Sequence, residues 1–162
     1  MKGTAVPTKY WLIKTEPGCF SIDDLAKQKN QTTHWDGVRN YRARNIMRDE
    51  MKKGDKVLFY HSNAEPPAAA GICEIVKEGY PDFTAFDPDD MHYDPKSKND
   101  SPTWFMVDIK FVKKFKREVT LAEIKSNKKL QKMNLVQPGN RLSVMPVTKE
   151  EFEEIAKMGS PF

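Results

Sequence analysis

The sequence predicts a mixed α/β domain, mainly β, in which a small barrel of strands is plugged or flanked by short helices. Three observations carry this expectation. Runs of β-branched and aromatic residues recur along the chain, each too short to build a doubly wound sheet. Between them, three separate stretches carry the same reciprocal capping signature of a helix start. The chain has 162 residues with three Trp, five Tyr and nine Phe, enough for one real core and too many rings for disorder. Residues 1–9 are expected as a flexible lead-in and residues 10–158 as one domain.

Each element follows from local signals. Tyr10-Trp-Leu-Ile-Lys-Thr15 reads as a first strand, ended by Glu16-Pro17-Gly18. Ser21 and Asp24 then form a capping box, with Phe20 before the cap and Leu25 four after it as a hydrophobic staple. The same design recurs at Thr120/Glu123, stapled by Val119 and Ile124, and at Thr148/Glu151, stapled by Val147 and Phe152. A further helix is expected from about Tyr41 to Lys52, because Ala43, Ile46, Met47 and Met51 share one face. Gly54-Asp55 ends it and leads into a strand, Lys56 to His61. The Pro66-Pro67 pair marks a loop. Ala70 to Lys77 and Trp104 to Phe115 are further strands, and Arg141 to Val147 is the last. In the run from Trp104, Phe105, Val107, Ile109 and Phe111 point one way, and Asp108 and Lys110 the other. From Gly79 to Pro102 the chain is polar and holds four prolines, which reads as a long ordered loop or lid.

Composition narrows the functional classes. Lys and Arg number 27 against 23 acids, for a net charge of +4 and a pI near 8.9. That balance permits nucleic-acid binding but, without a long basic stripe, argues against broad groove binding. Cys19 and Cys73 have no paired spacing, so two free thiols in a reducing compartment are expected. The first eight residues hold no apolar run of signal-peptide length, and nothing approaches the roughly 20 apolar residues of a membrane span. A soluble, intracellular protein is expected.

One stretch concentrates chemistry. Trp35-Asp-Gly-Val-Arg-Asn-Tyr-Arg-Ala-Arg-Asn45 places two aromatic rings, three guanidinium groups and two carboxamides in eleven residues. Rings stack on bases, guanidinium groups pair with phosphate, and an Asn offers a base edge both a donor and an acceptor. Gly37, Val38 and Arg39 precede the expected helix start, where free N–H groups favour an anion, and Gly37 lets backbone approach a ligand closely. Taken singly, Trp35 reads as a core ring and Arg39, Arg42 and Arg44 as a solvated face; together they favour a site. Tyr60-His61-Ser62-Asn63 closes a strand and reads equally as a turn or as polar tips at a barrel mouth. Lys14, Glu16 and Arg141 read as charged strand ends, and Trp104 as core before cage.

Metal and catalytic patterns are weak. His34, His61 and His92 show none of the spacings of strong zinc signals, and no Walker, GxSxG or GxGxxG pattern occurs. His92 lies in an acidic loop with Asp87, Asp89, Asp90 and Asp94, where a solvated loop is the simpler account than an adventitious cation. A Cys19–His61 pair stays open, though most lone cysteines are small core residues. No cofactor, metal or catalytic residue is expected.

These residues resemble the EVE-domain family, and in particular its stand-alone bacterial members. The resemblance covers Tyr10 to about Ile155. It rests on Tyr10-Trp-Leu-Ile-Lys-Thr-Glu-Pro17, Phe20-Ser-Ile-Asp-Asp-Leu25, the Trp35–Asn45 stretch, Gly54-Asp55 with Val57 to Asn63, and Ala70-Gly-Ile72. Asp94-Pro-Lys-Ser97, Trp104, Val107-Asp108 and Arg141-Leu-Ser-Val144 complete it. It implies a PUA-like pseudo-barrel that binds a modified nucleobase, in DNA or RNA. By position, the pocket would draw on Trp35, Val38, Arg39, Asn40, His61, Ser62 and Asn63, with Lys14, Glu16 and Trp104 as further contributors. Arg39, Arg42, Arg44 and Arg141 would hold phosphates. Some members are fused to nucleases, for which this chain has no room, so any cutting would fall to a separate nuclease or other effector. A monomer is expected, away from membranes, in the cytoplasm if bacterial and in the nucleus if eukaryotic. The competing readings are an enzyme on nucleotides or RNA, with Glu16, His61 and Asp36 as acid–base candidates, and a nucleoside or small-molecule binder.

Overall fold

A computed structural model of the protein describes residues 7–140 and 142–160. Along it run β1 (Tyr10–Thr15), α1 (Ile22–Lys27), β2 (Thr32–His34), α2 (Tyr41–Asn45), β3 (Lys56–His61), β4 (Ala68–Pro81) and β5 (Phe105–Thr120). The chain continues with α3 (Leu121–Ser126), β6 (Val144–Val147) and α4 (Lys149–Gly159). The strands form one sheet in the order β2-β5-β4-β3-β1-β6. β1 runs parallel to β3, and every other pairing is antiparallel.

Alternation along the strands sends side chains into two cores, one on each face of the sheet. In β1, Trp11 and Ile13 join the first core while Leu12 joins the second. The first core also takes Ile22 and Leu25 of α1 and the apolar face that begins with Ala43 of α2. The second is closed by Ile124 of α3 and Phe152 and Ile155 of α4. Fully buried side chains such as Leu12, Leu58 and Ile109 each contribute roughly 1.5–3 kcal/mol by leaving water. β4 and β5 pair with several register shifts, and such bulges bend long strands so that one sheet can wrap around its first core.

The three capping boxes at Ser21, Thr120 and Thr148 all form, each hydroxyl accepting from the backbone N–H three residues on. β1 and β3 have the expected limits. Other elements differ. The helix expected over Tyr41 to Lys52 is α-helical only to Asn45 and then widens into a π turn, Ile46–Glu50, closed by Met51 N–H donating to Ile46 C=O at 3.0 Å. The wide turn keeps Met51 on the face it shares with Ala43, Ile46 and Met47, all buried. β2 is three residues long, too short to carry a period, and exists because its backbone pairs with β5. In β5, Val107 and Ile109 point into the first core as expected, but Met106 is buried there too. The pairing with β4 slips register at this point, between Lys77 and Tyr80. β6 begins at Val144 rather than Arg141, and Arg141 lies outside the described residues. Most of the expected flexible lead-in, residues 1–6, lies outside them as well.

The long polar loop after β4 is held by its own acids. Asp82, fully buried, caps a 3₁₀ turn at Phe83–Phe86. Asp87 and Asp90 accept from the N–H groups of Asp89 and His92. Asp94 accepts from Lys96 N–H and from the Trp104 indole at 2.6 Å.

Candidate functional site

A cavity of about 590 Å³ opens between the C-terminal end of β1, the segment after β2 and the long loop. One wall is Lys14, Thr15 and Glu16, followed by Cys19 and Phe20 in the turn before α1. The second runs from Thr33 through Trp35 to Arg39. Met91 and His92 form the third side, and Ser143 meets Lys14, whose N–H donates to the Ser143 carbonyl at 2.8 Å.

The Trp35 ring is fixed from behind. The Trp35 backbone N–H donates to Val107 C=O at 2.8 Å, which extends the β2–β5 pairing by one residue. The indole meets Phe59 and Phe20 edge to face, at 5.6 Å and 6.0 Å between centroids. Such T-shaped pairs hold a ring against the core while leaving it half-buried at the cavity. Burial pulls the Lys14 ammonium below its ordinary pKa, and that nitrogen lies 6.0 Å from the Tyr60 ring centre. With the Glu16 carboxylate, which also lines the cavity, this partly desolvated cation gives the wall one donor and one acceptor group.

Arg39 ties the second wall to the long loop. Its guanidinium donates to Asp82 at 3.0 Å, to Val38 C=O at 3.1 Å and to His92 C=O at 2.6 Å. Gly37 N–H donates to the same Asp82 carboxylate at 2.8 Å. Burial pushes the Asp82 carboxyl up, but the hydrogen bonds from Thr84, Gly37 and Arg39 outweigh it and hold its pKa below the ordinary value. Gly37 has φ +81, and a Cβ there would stand 2.5 Å from the His92 imidazole. Glycine is therefore required twice, for the left-handed backbone and for the ring that lies against it. The His92 Nδ1 is buried with no hydrogen-bond partner, 3.4 Å from Asp90 and 3.5 Å from Asp36.

Of the residues singled out in the sequence, Trp35, Val38, Arg39, Lys14 and Glu16 meet at the cavity. His61, Ser62 and Asn63 do not line it. His61 is buried beneath α1, where its Nε2 accepts from Ile22 N–H at 3.1 Å. Asn63 is exposed in a left-handed turn with φ 50, and Ser62 N–H donates to Thr15 C=O. The Asn40 carboxamide oxygen caps α2 by accepting from Ala43 N–H. Trp104, 6% exposed, stacks on Tyr41 at 5.0 Å with the Arg39 guanidinium 5.3 Å from its ring centre, outside the cavity lining. Arg44 donates to Thr103 C=O and packs over Tyr41. Arg42 is exposed and borders a separate shallow groove with Asn134 and Asn140.

The sequence reasoning missed Thr33, His34, Cys19, Phe20, Met91, His92 and Ser143 as lining residues. Most come from loops or from the unforeseen β2, where no period marks a face. The one available signal was an apolar residue next to a histidine, Met91-His92, amid a run of acids. Among the described residues no group of His, Cys, Asp and Glu is arranged to hold a metal ion, and no helix is long and apolar enough to cross a membrane.

The chain's relatives share this architecture. It is 46% identical to thymocyte nuclear protein 1 of Homo sapiens over 167 residues, covering 93% of this chain and 74% of that protein. A solved hypothetical protein from Leishmania major is 52% identical and superposes with a TM-score of 0.88, covering 94% of this chain and 95% of that one. The human THYN1 protein, crystallised in complex with 5-methylcytosine containing DNA, is 45% identical with a TM-score of 0.88, covering 96% and 99%. The mainly β fold with short helices is the PUA-like one of these relatives. The EVE domain family model matches residues 9–158, nearly the whole described chain, and the protein belongs to the EVE-domain family.

Proposed function

We propose that this protein is a nucleic-acid reader that holds a single modified base in the cavity beside Trp35. The observation that carries this reading is the half-buried Trp35 ring, braced by Phe20 and Phe59 at the side of a 590 Å³ cavity. The volume suits one planar heterocycle. The human THYN1 protein, crystallised with 5-methylcytosine containing DNA, supports a methylated base in DNA as the first ligand to try.

In this reading an extruded or single-stranded base slides over Trp35, and stacking contributes ~1–3 kcal/mol against the few kcal/mol of unstacking. Lys14 and Glu16 supply polar contacts to the base edge, and Val38 an apolar one to the modification. Arg39 holds the wall and the long loop together, so its first role is to position the site. Phosphate contact falls to exposed cations such as Arg42, and Arg141 is proposed with it. His61 acts through the start of α1 rather than on the base, and Ser62 and Asn63 lie outside the cavity lining. A separate effector, a monomeric state, and residence in the cytoplasm of a bacterium or the nucleus of a eukaryote belong to the same proposal.

The test is binding of matched DNA and RNA oligonucleotides with and without 5-methylcytosine. Trp35→Ala should weaken binding to the modified strand by roughly 5- to 150-fold, the worth of one stack. Undiminished affinity would remove the ring from the site.

A further inference from the structure

We infer that Met91 is a wedge that enters a double helix and fills the gap left when the target base moves into the cavity. The inference rests on the reader function proposed above and adds the form of nucleic acid it acts on, a duplex.

Met91 lines the cavity on the side opposite β1 and is nevertheless 90% exposed. Among the described residues, three of the five exposed large apolar side chains lie on this one loop: Phe83 at 51%, Met91 and Tyr93 at 42%. An apolar side chain this bare, at the rim of a base-sized cavity, has no packing role in the free protein.

Its backbone is held on both sides. Asp90 N–H donates to Asp87 C=O, Tyr93 N–H to Asp90 C=O, and His92 N–H to the Asp90 carboxylate at 2.8 Å. Arg39 grips the His92 carbonyl from the cavity wall, and the His92 ring lies against Gly37. The Met91 backbone is thus held in place at the cavity that Trp35 also lines. A wedge must be so placed, because insertion is useful only beside the position that the base leaves.

Charge selects the same geometry. Asp87, Asp89, Asp90 and Asp94 lie within four residues of Met91 in the chain, and this stretch is repelled by a phosphate backbone. An apolar end framed by carboxylates therefore faces the base stack. Methionine suits that space: unbranched and polarisable, it slides between bases as apolar wedges do in proteins that unstack DNA.

The experiment compares Kd for a duplex carrying one central 5-methylcytosine with Kd for the same modified strand alone, in the wild type, Met91→Ala and Met91→Leu. The duplex-to-single-strand affinity ratio should fall about tenfold in Met91→Ala and stay near the wild-type value in Met91→Leu. An unchanged ratio in Met91→Ala overturns the wedge, as does wild-type protein that binds only the single strand; both leave the reader function standing. Wild-type protein with no preference for the modified base in either form overturns both.

Discussion

Arg39 shows how one side chain can look like a ligand group and serve as a strut. Its guanidinium is only 24% exposed and faces a fully buried Asp82 carboxylate, a Thr84 hydroxyl and the His92 carbonyl. Removing Arg39 leaves the Asp82 carboxylate buried, with hydrogen bonds from Gly37 and Thr84 but no balancing charge. Arg39→Ala should therefore lower unfolding free energy by about 3 kcal/mol, read from urea melts. The loss should shrink in acid. The Asp82 pKa is depressed on folding, so its stabilisation is full above the ordinary carboxylate value of 3.8 and disappears as pH falls through the lowered one. A phosphate role would instead leave stability intact and change the salt dependence of binding. The side-chain chemistry was legible in the sequence, whereas Asp82, 43 residues away, was not.

At the scale of elements, α1 depends on a histidine from a distant strand. Ile22 N–H is one of the unpaired donors at the helix start, and His61 Nε2 accepts it. That bond needs a neutral ring with its proton on Nδ1, the side that faces Glu118 at 3.5 Å. Burial lowers the His61 pKa, against the opposing pull of Glu118. The unfolded chain thus takes up a proton near the ordinary value of 6.5 while the folded one resists. Stability from this contact is complete above about pH 6.5 and declines as pH falls below it. Thermal melts from pH 8 to pH 5 should show a declining Tm that is flatter in His61→Gln. An equal decline in both proteins would assign the acid sensitivity elsewhere. Capping boxes and the short strands β1 and β3 could be foreseen because their determinants lie within a few residues. β2 could not, since its pairing partner Val107–Lys110 supplies the reason for its existence.

For the whole molecule, charge sets the mode of engagement. With a net charge of +4, and with arginines 39 and 44 bonded internally, Lys14 and Arg39 are the cations of the cavity lining among the described residues, and Arg39 is engaged by Asp82. Titrations against modified duplex at several salt concentrations should give a shallow slope, with log K falling by fewer than about 4 units per decade of salt. A steeper slope would mean broad backbone contact and a different footprint.

What the sequence determined by itself was local or compositional: most of the strands and helices, three caps, the mainly β class, and the clustering of rings, guanidinium groups and amides around Trp35. Those features depend on residues close in the chain or on the sum of its charges. The tertiary structure alone decided which polar residues face the cavity. His61, Ser62 and Asn63 follow Tyr60 directly, yet β3 and α1 turn His61 inward, while β1 brings Lys14 and Glu16 to the cavity. It also brought Met91 and His92 across from a loop more than 50 residues beyond Trp35. Long-range pairing sets these positions, and no pattern within a short window of sequence records it.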